Sequence, residues 1–358
     1  MDVSCPQNYK GLFKPDYYSK LNDFNIQNNE ENHKYNLMRW SFLYIAVSYS
    51  CFGFTTFHIK LTKKLFPDEF SAPSYLFYRN IILIPISLYF LKSLNVNFTR
   101  YSEIKNKNWF FIRLTGNYFA FVAIIKCMMY LRVSTAQCLN SMHPAFVLII
   151  SAIILKEKFY KRYVYGIIIC FIGSVIIIMN ENEKAQDIGI INEFDVAADS
   201  INFLDTKFDN SQELNILNIF IGSLWGILNS ILVAHVVVGI KILSNDKIPM
   251  VVQNFFLGIN NTVLGLIHGF LIQKFSFNIF FGLVSSSGGI IFYISNYLLN
   301  KGYENLPISK TTPLAYISTL SAFILSVLFL GENLYVTDII GSLLILVFNV
   351  YNAWVPPK

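Results

Sequence analysis

A handful of basic side chains stand in places where an apolar chain gives them little reason to be. Arg79, in the run Tyr78-Arg79-Asn80, lies about seven residues inside an apolar stretch, roughly 10 Å deep at the rise of an α-helix. Lys126, Lys301 and Lys310 sit near the ends of other stretches, and Arg113 lies about one turn into another, from which it is expected to snorkel to an interface. Ionisable groups within hydrocarbon are expensive, so each is a functional hypothesis by default. No apolar stretch carries Asp or Glu at its centre: Asp338 is near the start of the last one, and Glu157 and Glu332 stand at ends. A cavity with fixed cations and no fixed anion repels cations and draws carboxylate, phosphate or sulfate. The competing reading is that each base snorkels and does nothing more.

Uncharged polar residues recur at helical spacing among the apolar ones. Asn117-Tyr118 form one pair; Tyr293 and Asn296 form a second. Gln137, Asn140 and His143 follow at three-residue intervals on one side of a helix, and Trp225, Asn229 and His235 share another. Such groups fix a polar solute in a cavity, or join helices to one another. The candidate substrate-binding set is therefore Arg79, Asn117, Tyr118, Lys126, Asn140, His143, Tyr293, Asn296, Lys301 and Lys310.

Catalytic patterns are missing. The chain has no GxxxxGK[ST] phosphate loop, no HExxH, and no Ser/His/Asp set in a recognisable setting, so no catalytic residue is predicted. Its five cysteines, Cys5, Cys51, Cys127, Cys138 and Cys170, are odd in number and lack CxxC or zinc spacing. No disulfide framework, metal or cofactor is expected.

The elements that position these residues are membrane helices. Of 358 residues, 54% are hydrophobic and only 14% charged, with a mean hydropathy of +0.46; a soluble domain carries about 25% charged residues. The net charge of +6 is scattered between apolar runs as membrane-flanking charge, not gathered into a nucleic-acid patch. Spans of about 20 apolar residues cross a bilayer. Candidates fall at 40–60, 72–93, 109–130, 134–155, 163–180, 216–241, 249–273, 278–300, 306–330 and 334–355. Residues 1–38 are polar without the apolar core of a signal peptide, so they read as a cytoplasmic segment. Residues 181–215, rich in Asp, Glu and Asn without period, read as a flexible acidic linker. Lys and Arg crowd the segments on the N-terminal side of the bundle, which places both termini inside, the linker outside, and the sequon Asn97-Phe98-Thr99 in the cytoplasm.

The chain also repeats itself. Shifting 126–168 by 175 positions lays Lys126 on Lys301, Ser134 on Ser309, Ser151 on Ser326, Glu157 on Glu332, Tyr160 on Tyr335 and Gly166 on Gly341. Five helices per copy force the second copy to enter from the opposite side. The expected fold is an all-α integral membrane protein of about ten transmembrane helices, arranged as two inverted five-helix repeats, 39–180 and 216–355.

Several short motifs resemble the drug/metabolite transporter superfamily in its EamA-like branch. In the first copy they are Tyr130-Leu131, Ser134, Pro144, Leu155-Lys156-Glu157 and Gly166; in the second, Ser309, Phe329-Leu330-Gly331-Glu332 and Gly341. Arg79 falls where that family often has an arginine. One departure is that Pro144 maps onto Thr319, with Pro313 earlier, which predicts a displaced kink in the second copy. The resemblance implies a substrate cavity between the halves, with the fifth and tenth helices at the edge.

The expected function is a secondary transporter or exchanger that moves a small polar, anionic metabolite by alternating access. A carrier of neutral or weakly basic metabolites or drugs is the alternative, and a non-transporting channel or scaffold the second. The partners are a small-molecule substrate and the lipid bilayer, with no nucleic acid; a counter-substrate and a homodimer stay open. The location is a multi-pass position in a membrane whose identity the sequence does not give.

Overall fold

The computed structural model describes residues 15–96, 105–156, 211–272, 275–306, 308–331 and 335–354, with scattered positions between 165 and 176. Among the described residues the chain is helical, without strands. The helices are α1 (Pro15–Leu65), α2 (Ala72–Ile81), α3 (Leu83–Ser93), α4 (Lys107–Tyr130), α5 (Val133–Asn140) and α6 (His143–Ile154). After residue 210 come α7 (Ser211–Asn245), α8 (Met250–Leu271), α9 (Ile279–Tyr303), α10 (Ile308–Thr311), α11 (Tyr316–Leu325) and α12 (Val336–Trp354).

Seven helical stretches among the described residues are long and apolar enough to cross a membrane, and Tyr316–Leu330 is a shorter apolar one. The expected fifth span, 163–180, and most of the linker, 181–210, lie outside the described residues apart from the scattered positions. Two boundaries differ from expectation. Ser211–Asn215, assigned to the linker, already forms the start of α7. The segment before residue 39, read only as polar, is helical from Pro15 onward and runs without a break into the first span. Neither is apolar enough to be read as membrane helix by composition.

Prolines explain where the spans break. A proline inside a helix lacks an N–H and its ring crowds the carbonyl four residues earlier. Pro85 follows the interruption at Ile82 that separates α2 from α3. Pro144 opens α6 after the break at Ser141–Met142, and Pro313 lies in the 3₁₀ turn Thr312–Ala315 between α10 and α11. The displaced kink expected from Pro313 is thus present as a change of helix type.

The principal contacts join the part before residue 157 to the part after 210: α4 with α7, α1 with α9 and α11, α2 and α3 with α8, and α5 and α6 with α7. The α1–α9 pair runs antiparallel. Ser41 meets Asn305, Tyr49 meets Tyr303, Ser48 meets Ser295 and His58 meets Ser287, so residue numbers rise along α1 as they fall along α9. Glycines allow the close approaches. A Cβ at Gly289 would collide with the Arg79 carbonyl and Ile82, so α9 reaches α2 only because that side chain is absent. The Gly222/Gly226 pair of α7 lies against Tyr130, Leu131 and Leu139 in the same manner.

Candidate functional site

Between these helices lies a cavity of about 90 Å³. Its polar lining comes from α1 (Tyr49, Thr56), α4 (Asn117), α5 and α6 (Gln137, Asn140, His143), α7 (Asn229), α9 (Asn296) and α11 (Ser318). Phe52, Phe121 and Ile124 are among the apolar members. Among the described residues, neither Lys, Arg, Asp nor Glu belongs to the lining.

The break at Pro144 shapes one wall. It frees the Asn140 carbonyl, which has no helical N–H to receive. His143 supplies the missing donor, with Nδ1 at 2.7 Å from that oxygen. The break therefore holds the imidazole in place and places Asn140 and His143 side by side in the lining. Asn229 crosses from α7 to donate to Asn140 Oδ1 at 2.7 Å. Gln137 reaches the other half, donating to Ser318 Oγ at 3.1 Å.

The predicted residues divide into two groups. Asn117, Asn140, His143 and Asn296 come together in the lining. Tyr118, next to Asn117, turns away and bonds His268 Nδ1 at 2.9 Å. Tyr293 stacks on Phe90 with ring centroids 6.0 Å apart. Lys126 is half-buried beside His268 and outside the lining. Lys301 is 49% exposed and 4.0 Å from Glu304, a surface group. The Lys310 side chain lies outside the described residues.

Arg79 is fully buried, and it is not a lining residue either. Its guanidinium carbon sits 3.6 Å from the centroid of Phe121, which does line the cavity, and 4.3 Å from that of Phe292. Nε and Nη1 have no hydrogen-bond partner, and Nη2 makes one long contact, 3.4 Å, to Asn80 Oδ1. Asn80 Oδ1 also receives Asn261 Nδ2 at 3.5 Å, and the same Nδ2 donates to Asn117 Oδ1 at 3.0 Å. A chain of amides thus links the guanidinium to the cavity wall. Two stacked rings offer about 2 kcal/mol each when desolvated, whereas burial of an ion without a counter-charge costs several. The aromatic cage therefore leaves the charge under-compensated.

Arg113 corrects an expectation. It does not snorkel: it is fully buried, with Nη2 on Met250 Sδ at 3.6 Å and Nε and Nη1 without partners. Met250 of α8 meets its guanidinium, and Gly239 of α7 lies against its Cβ. A further ion pair was not foreseen. Arg132 meets Asp338 at 3.3 Å with both side chains 1% exposed, and its guanidinium lies 5.1 Å from the Tyr335 ring centroid. Of the lining residues outside the predicted set, Ser318 carried a usable signal, since the 175-residue shift lays His143 on it.

The model of the EamA-like transporter family matches residues 39–179 and 220–350. One solved crystal structure is similar with a TM-score of 0.55 over 86% of this chain and 97% of the other, at 13% identity, which is a likeness of fold. Among curated proteins, none matches in sequence.

Proposed function

The chain belongs to the EamA-like transporter family, membrane transporters of small molecules, and from that premise we propose that it carries a small polar anion through the central cavity by alternating access. The observation behind the anionic part is Arg79. A guanidinium without a carboxylate stands against a ring that forms the cavity wall. In a low-dielectric interior its field reaches across that ring and favours a negative solute.

The alternating-access part draws on packing. The 175-residue shift carries α4 onto α9 and α1 onto α7, so it converts the pair α4–α7 into the pair α9–α1. Both pairs are antiparallel: Arg113 faces Gly239 while Cys127 faces Gly226, and Tyr49 faces Tyr303 while His58 faces Ser287. That exchange is what an in-plane two-fold axis between two inverted five-helix repeats requires, and rocking about such an interface exposes a central site to each side in turn. Counterflow in proteoliposomes tests this. Labelled substrate should enter faster when unlabelled substrate waits inside; equal rates would indicate a channel.

A second reading, a neutral polar substrate, is favoured by a lining that carries no charged side chain among the described residues. Comparing phosphate monoesters with uncharged analogues of equal size separates the two.

A further inference from the structure

Hydrogen-bond polarity around the cavity can be assigned atom by atom, and it is lopsided. Ser318 donates its hydroxyl proton to the Ala315 carbonyl at 2.6 Å. Its oxygen can then only accept from Gln137, which fixes the amide with Nε2 toward Ser318 and leaves Oε1 on the other arm. That Oε1 has no partner, and Gln137 is 1% exposed. At His143 the Asn140 carbonyl can only accept, so Nδ1 carries the proton and Nε2 of the neutral ring is an acceptor. Nε2 has no partner either, and His143 is 3% exposed. Asn296 is fixed likewise: its Nδ2 donates to the Phe292 carbonyl at 3.0 Å, leaving Oδ1 as the free arm of the amide.

Three acceptors, from α5, α6 and α9, therefore belong to residues that line one small cavity. Gln137 Oε1 and His143 Nε2 are buried without a partner, and such an orphaned acceptor is costly. A solute that offers N–H or O–H groups relieves that cost, whereas one without them leaves the acceptors unpaired and binds less tightly. We propose that Gln137, His143 and Asn296 form a donor-reading subsite, and that the transported molecule is a polyhydroxylated or amino-bearing one, received through its O–H or N–H groups. Sugar phosphates and hydroxy or amino acids satisfy this; simple carboxylates and fully ionised alkyl phosphates do not. The inference rests on transport through this cavity, but it applies whether the solute is anionic or neutral.

The test uses two pairs of compounds matched except for donors. Glycerol 3-phosphate against n-propyl phosphate is the charged pair, and glucose against its fully O-methylated form is the neutral pair. Each is titrated against the thermal unfolding of the purified full chain, and radiolabelled uptake is followed in proteoliposomes. The donor-bearing member of at least one pair should act at a concentration at least tenfold lower than its partner. In Gln137→Met and His143→Phe, both checked for an intact unfolding transition, that preference should shrink to within about twofold, because the acceptor is gone while the volume is kept. A preference confined to the neutral pair, with neither phosphate bound, supports the subsite and overturns the anionic reading. Equal action of both members of every responding pair overturns the subsite and leaves the charge question to the phosphates. A preference unchanged in both variants, or no response to any of the four compounds, also overturns it.

Discussion

Replacing Arg79 by Gln removes one charge from behind the cavity wall while keeping a polar side chain of similar reach. The guanidinium carbon is 3.6 Å from the Phe121 centroid. A solute in van der Waals contact with the far face of the ring adds about 3.5 Å, so charge and solute stand roughly 7 Å apart. At an effective dielectric of about 20 their interaction is roughly 2.4 kcal/mol. That corresponds to about fiftyfold in affinity at 1.4 kcal/mol per decade. Arg79→Gln should therefore raise the half-saturating concentration of a monoanion by roughly fiftyfold, and that of a neutral analogue hardly at all. Arg79→Lys, which keeps a charge but loses the planar stack on two rings, should fall between wild type and Arg79→Gln. Proteoliposome uptake with matched protein amounts is the assay, using one charged and one uncharged substrate. An equal loss for both would show that Arg79 holds helices together and does not act on the solute. No loss for the anion would remove Arg79 from the transport mechanism.

Asp338→Asn removes a buried carboxylate 3.3 Å from the Arg132 guanidinium and should destabilise the protein by about 3–5 kcal/mol; the double change Arg132→Met with Asp338→Leu should recover much of this, as read by thermal unfolding in detergent. Lys301→Ala should leave uptake within about twofold of wild type, because the side chain is half exposed and paired only with Glu304; a larger loss, with normal protein level, would bring the surface group back into the site. Gly289→Leu should prevent folding or abolish transport, since its side chain would meet the Arg79 carbonyl and Ile82; a normally folded, active variant would show that α9 can stand off from α2. Cysteines placed at Asn95 and Lys247, in a background lacking the native ones, should label from one side of the membrane and a cysteine at Phe277 from the other, because the span expected at 163–180, added to the three described ones, makes four crossings between the first two, and α8 alone separates Lys247 from Phe277. Labelling of all three from one side would refute the membrane path of α8.

Seven of the span positions were legible because twenty-residue apolar runs have few other uses. The polar half of the site was legible too. Asn140 and His143 recur at a spacing that keeps them on one side of a helix, and lipid gives such side chains no partner, so they turn inward. The placement of the cations was not legible, for a physical reason. Sequence shows that a base lies within an apolar run, but not whether an aromatic ring stands between it and the cavity. Arg79 lies behind Phe121. Lys301, one of the symmetry-related pair, is at the surface. Arg113 was expected to reach water from one turn inside a helix, but it is buried with α7 and α8 against it, and long-range packing leaves no trace in local spacing. The Arg132–Asp338 pair, 206 residues apart in sequence, was hidden for the same reason.

The cross-pairing of helices also sets an order of events at the ribosome. Ser48 and Tyr49 find their partners 247 and 254 residues later in the chain. At about 5–20 residues per second of synthesis, α1 waits roughly 13–50 s in the bilayer before Ser295 and Tyr303 exist. During that wait Ser48 lacks the Ser295 carbonyl, His58 lacks Ser287 and the Arg79 guanidinium lacks the Phe292 ring. The first half of this protein is therefore a long-lived nascent species whose polar groups lack their final partners, and its handling by membrane-insertion factors bears on yield as much as any contact in the finished bundle.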